Sequence, residues 1–114
     1  MNDYLPWVAL GAVLIAMTLF KRLGQIAPDK ARELLKAGGK LIDVRSRAEF
    51  DAGHIPGALN LPVSELGSRA DLVGPKETPV VLYCASGTRS AMARTVLKSR
   101  GFTQVFNLGA MSRW

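Results

Sequence analysis

Between Tyr4 and Phe20 the chain carries no charged side chain for 17 residues (YLPWVALGAVLIAMTLF), and this run constrains its architecture more than any other feature. At ~1.5 Å per residue the run makes a helix of ~26 Å, close to the ~30 Å of a bilayer's hydrocarbon core. Tyr4 and Trp7 stand at one end, where amphipathic rings favour the interface; Lys21 and Arg22 stand at the other, where their stems can reach the headgroups. Pro6 falls in the first turn, where its missing N–H costs nothing. A cleaved secretory signal would need a positive stretch before the run and a small-x-small site after it. Instead Met1, Asn2 and Asp3 precede it, and Lys21-Arg22-Leu23 follow. The run therefore predicts an uncleaved, single-pass transmembrane anchor over residues 4–22. All 15 Lys and Arg residues lie from Lys21 onward, which predicts that the rest of the chain faces the cytoplasm.

Residues 23–27 read as a linker, and 28–114 as one small domain, near the lower limit for a core that forms without disulfides. Cys84 is the single cysteine, so no intrachain disulfide is available, which fits a reducing compartment or a reactive thiol. The net charge of +6 contains no Lys/Arg run longer than two and no basic stripe interleaved with aromatics. It predicts a mildly basic surface suited to a membrane or a small anion, and no nucleic-acid partner.

Within the domain, helical and strand patterns alternate. Pro28, Asp29 and the Ala31/Leu34/Leu35 spacing predict a helix stopped by Gly38-Gly39. KLIDV (40–44) reads as a buried strand. Ser46 and Glu49 have capping-box spacing for a short helix that Gly53 ends, and a second short strand follows near Ala58–Leu61. Residues 64–73 are expected to be helical. VVLYC (80–84) is the clearest strand; a helix is expected from about Ser90 to Arg100, a last strand over Val105–Leu108, and a turn or helix from Gly109. This alternation predicts an α/β fold with a mainly parallel sheet flanked by helices.

Cys84 ends the most apolar strand, and open α/β sheets bind ligands beyond the carboxyl ends of their strands. The loop after it, CASGTR, is built from small residues whose N–H groups can converge into an anion nest, with a helix N-terminus behind them. Arg89 adds a charge and a planar fork. Such surroundings favour thiolate or persulfide on Cys84 and need no general base. His54, in a Pro-Gly turn, is therefore read as structural, and Asp43, Arg45 and Glu49 as a local cluster of hydrogen bonds and ion pairs that fixes a turn. Phe102 and Trp114 are expected at the core edge, with Met92 and Met111 filling gaps. One Cys and one His cannot build a zinc site, and neither a metal nor another cofactor is expected.

The stretches LIDVRSRAEFDAGHIPGALNLP (41–62), VVLYCASGTRS (80–90) and GFTQVFNLGAMSRW (101–114) resemble the rhodanese domain. That resemblance implies a sheet of about five strands and an active-site Cys84 cycling between thiolate and persulfide. Ala85, Ser86, Gly87, Thr88 and Arg89 would form the substrate pocket. Phosphatase and arsenate-reductase relatives look like Cys-x5-Arg; here Arg89 stands at x4, a tighter ring suited to one sulfur atom. Ala85 stands where some relatives place a basic residue, and the chain ends at Trp114, where many continue through a closing helix. The implied activity moves a sulfane sulfur from a small anionic donor such as thiosulfate to cyanide, a thiol or a protein cysteine. The contrasting reading is a membrane-tethered module that binds partners or senses sulfur without turnover. Because the nest lies wholly in 84–90, the anchor is expected to serve location rather than chemistry.

Overall fold

The computed structural model describes residues 3–114. Helix α1 (Leu5–Arg22) is long and apolar enough to cross a membrane, and none of its residues is buried by the protein. Thr18, its one hydroxyl residue, donates back to Leu14 O at 2.9 Å, so the helix shows apolar groups to its surroundings. After Leu23 come α2 (Pro28–Lys36), β1 (Lys40–Asp43), α3 (Arg47–Ala52) and β2 (Leu59–Asn60). Then come α4 (Val63–Leu66), a 3₁₀ turn (Ala70–Val73), β3 (Val80–Cys84), α5 (Thr88–Ser99), β4 (Val105–Ala110) and a closing 3₁₀ turn (Met111–Arg113).

The four strands form one sheet in the order β2-β1-β3-β4, every pairing parallel. The expected count of about five is met by four and a remnant: Gln25 pairs with Asn107 as an isolated parallel bridge on the outer edge of β4. The expected linker 23–27 thus lies along the sheet, with Ile26 N–H donating to Asn107 O at 2.9 Å and Asn107 N–H to Gly24 O at 2.8 Å.

One face of the sheet packs Ile42, Val44, Leu82 and Cys84 against Leu66, Ala93, Leu97 and Phe102 of the α4–α5 side. The other packs Leu41, Val81, Tyr83 and Leu108 against Ala31, Ile55, Met111 and Trp114. β3 is buried at all five positions, as a central strand covered on both faces must be. Trp114 lies under the Arg32 guanidinium, 4.4 Å from its ring centre.

Four local expectations shift. The helix expected over 64–73 is two pieces: after Leu66 the chain turns at Gly67, and Ser68 Oγ takes the Glu65 carbonyl at 3.0 Å, competing with helix continuation. α5 starts at Thr88, two residues early, because Gly87 serves as its N-cap at φ +99°, a left-handed conformation suited to glycine. β4 runs on to Ala110 through a bulge: Leu82 faces Asn107 but Tyr83 faces Gly109, whose N–H donates to Asn107 Oδ1 at 2.8 Å. Met92 is 49% exposed and fills no gap, since it lies on the outward side of α5.

Candidate active site

In this strand order the carboxyl ends of β1 and β3 are neighbours, with Asp43 in register with Tyr83, at the point where successive connections leave in opposite directions. Ligand sites of open α/β sheets form at such a switch point. Two loops meet there, the one leaving Asp43 and the one leaving Cys84.

Cys84 is fully buried, its sulfur enclosed by the turn into α5. Gly87 N–H donates to Cys84 Sγ at 2.9 Å, and Ser90 Oγ lies 3.5 Å from the same sulfur. Burial pushes the thiol's pKa up. The Ser90 hydroxyl and the amides of Ser90, Gly87 and Ser86 outweigh it, and the net shift is downward. Ser90 Oγ is also 3.1 Å from Gly87 O. A hydroxyl has one proton, so it donates either to that carbonyl or to the sulfur; a thiolate, which only accepts, selects the second. Gly87 lies across Gly109, whose Cα would sit 3.5 Å from a Cβ added at Gly87, so the loop rests on the end of β4.

Of the residues singled out from the sequence, Ser86 and Gly87 bring amides toward Cys84, and Thr88 begins α5. Arg89 pairs with Glu49: its Nη1 and Nη2 donate to Glu49 Oε1 and Oε2 at 2.7 and 3.0 Å, a bidentate pair with both side chains about a third exposed. Arg89 holds Glu49's carboxyl down to about 2, helped by the Ser46 amide. Glu49 has therefore left the cluster expected around Asp43. It closes the capping box of α3 with Ser46 and ties α3 to α5. The remaining cluster is Asp43 with Arg45: Nη2 to Oδ2 at 2.7 Å, the Arg45 amide to Oδ1 at 2.9 Å, and the same guanidinium to Gly53 O at 2.7 Å. Tyr83 lies beside this pair, its hydroxyl accepting from Ile55 N–H at 3.1 Å, and burial pushes its pKa up to about 12. His54 stacks on Phe50, ring centres 3.7 Å apart, and Nδ1–H donates to Phe50 O at 2.9 Å, a turn-stabilising arrangement.

Sequence reasoning did not single out Ser90 as a site residue. The signal was there in the spacing: a hydroxyl residue six places after a strand-ending cysteine, in the first turn of a helix, faces back onto that strand's end.

The family of rhodanese-like domains matches residues 27–114. The Bacillus subtilis protein YqhL is 42% identical over 76 residues, 66% of this chain and 60% of YqhL, so the chain spans under two thirds of that relative. Thiosulfate sulfurtransferase GlpE of Pseudomonas savastanoi pv. phaseolicola is 33% identical over 102 residues, covering 86% of this chain and 90% of the relative. Among solved structures, the human single-domain sulfurtransferase TSTD1 superposes with a TM-score of 0.71 at 38% identity, over 80% of this chain and 94% of that one. A four-stranded parallel sheet, a cysteine at its switch point and a match that spans the whole domain converge: the chain belongs to the rhodanese family.

Proposed function

We propose that this protein is a membrane-anchored sulfurtransferase whose Cys84 carries the transferred sulfur as a persulfide. The observation that carries the reading is the set of donors aimed at one buried sulfur, the Gly87 amide at 2.9 Å foremost. Relatives named thiosulfate sulfurtransferase support sulfur transfer for the family; thiosulfate as donor is the proposal for this chain. Cys84 thiolate attacks the outer sulfur of the donor, an S–S bond forms to Cys84, the donor's own S–S bond breaks, and sulfite leaves with the electron pair. An acceptor thiolate or cyanide then takes the outer sulfur, and the Cys84 thiolate is regenerated. The amides of Ser86, Gly87 and Ser90 stabilise negative charge on sulfur at each stage. Because Cys84 is buried, the donor's sulfur must enter the ring formed by Ala85, Ser86, Gly87 and Thr88 rather than meet an open thiol.

Helix α1 supports the membrane part of the proposal, and the cations at its C-terminal end support a domain facing the cytoplasm. Thiosulfate-dependent thiocyanate production from cyanide should vanish in Cys84→Ser. Turnover at the wild-type rate in a folded Ser variant would refute the cysteine mechanism.

A further inference from the structure

Arg89, the cation of the catalytic loop, shares its charge with the Glu49 carboxylate. Free positive charge stands on the other side of the loop. A cleft of about 570 Å³ adjoins the Ser86–Gly87 edge and is walled by Thr18, Lys21 and Arg22 of α1, Gln25, and Arg113 of the closing turn. No carboxylate lines it, and among the described residues Lys21, Arg22 and Arg113 make no ion pair.

The walls are fixed to the strand beneath the loop. Asn107, fully buried in β4, donates from Nδ2 to Lys21 O at 3.1 Å and from its amide to Gly24 O at 2.8 Å. The Arg113 guanidinium donates to Leu108 O. Swinging α1 away would leave the buried Asn107 amide unpaired, a cost folded proteins avoid. Three unneutralised cations around a concave wall focus a positive field beside the Ser86–Gly87 edge of the loop that encloses Cys84. The volume lies in the range of sites for ligands of many atoms, far more room than a five-atom inorganic anion fills.

We infer that the C-terminal end of the membrane helix is part of the active site: Lys21, Arg22 and Arg113 form an anion subsite that selects a thiol acceptor bearing two or more negative groups. The thiol would meet the loop at Ser86–Gly87 while its carboxylates or phosphates meet the cations. This inference rests on the persulfide reading and departs from the expectation that the anchor serves location alone.

The test uses the full-length protein in nanodiscs of phosphatidylcholine, loaded with sulfur from thiosulfate and mixed with mercaptosuccinate or with uncharged 2-mercaptoethanol. Loss of the Cys84 persulfide is followed by rapid quench and mass spectrometry. The ratio of the mercaptosuccinate rate to the mercaptoethanol rate should fall about three- to tenfold in each of Lys21→Ala, Arg22→Ala and Arg113→Ala, as for loss of a partly exposed charge-assisted hydrogen bond. It should stay at the wild-type value in Lys98→Ala, at the far end of α5. Ratios unchanged in all three cleft variants would overturn the subsite. So would ratios that respond to the substitutions only in phosphatidylglycerol discs, because the cations would then serve lipid headgroups. A wild-type protein that never takes up sulfur would sink the persulfide reading and this inference together, whereas normal loading with unchanged ratios would remove the subsite alone.

Discussion

Cys84 sits under opposed influences, and the hydrogen bonds decide between them. Burial alone would hold it as an inert thiol, whereas the Ser90 hydroxyl and three amides pull its pKa below the ordinary value. Amides cannot be removed by substitution, but Ser90 can be tested. Ser90→Ala, which deletes one buried hydroxyl, should move the midpoint of Cys84 alkylation by iodoacetamide to higher pH. At neutral pH the rate should fall by about tenfold, the scale of one hydrogen bond to a charged group. An unmoved midpoint would show that the amides suffice. Ser90 escaped the sequence reading because its role depends on where α5 begins. With a start at Ser90 its side chain would be a cap; with a start at Thr88, set by Gly87, it turns inward onto the sulfur.

Between elements, the Arg89–Glu49 pair joins α3 to α5. Glu49's carboxyl is depressed from 4.5 to about 2, so its contribution to stability is present above pH 4.5 and is lost as pH falls through about 2. Glu49→Gln should therefore flatten the acid side of the urea midpoint measured over that interval, and an acid limb identical to the wild type would argue against the pair. The same pair sets the kinetics expected of Arg89→Ala, which removes a cation and also leaves the Glu49 carboxylate uncompensated beside an anionic substrate. Its kcat/KM for thiosulfate should drop by about one to two orders of magnitude. The double variant Arg89→Ala/Glu49→Gln should recover about threefold or more of that loss, since the two side chains act on each other directly. Equal losses in single and double variants would mean that Glu49 does not modulate the site.

The elements themselves were largely legible in the sequence, because local chemistry dictates them: Pro28 and Asp29 start α2, Ser46 and Glu49 box the start of α3, and the apolar VVLYC run can only be a covered strand. The bulge at Leu108 and the pairing of Gln25 with Asn107 were not legible, because both are set by the register of β4 against β3. Glu49 reads locally as a capping residue; only the adjacency of the β1 and β3 ends, a property of strand order, brings it to Arg89, 40 residues away.

For the whole molecule, the joint between α1 and the domain is where the proposed location and the proposed subsite meet. Asn107 pins the helix end to β4, so the C-terminal end of α1 is held against the domain rather than on a freely swinging tether. Orientation can be checked in intact cells with a Ser112→Cys, Cys84→Ser protein, since Ser112 is exposed and Cys84 is buried. An impermeant maleimide should label it only after permeabilisation, and ready labelling of intact cells would reverse the proposed topology. The persulfide is the claim on which everything else rests, and one mass measurement addresses it. Full-length protein incubated with thiosulfate and then freed of small molecules should gain one sulfur, about 32 Da, on the peptide containing Cys84, and cyanide or a thiol should remove it. An unmodified Cys84 after exposure to thiosulfate and to a persulfide donor, in protein shown to be folded, would contradict the account.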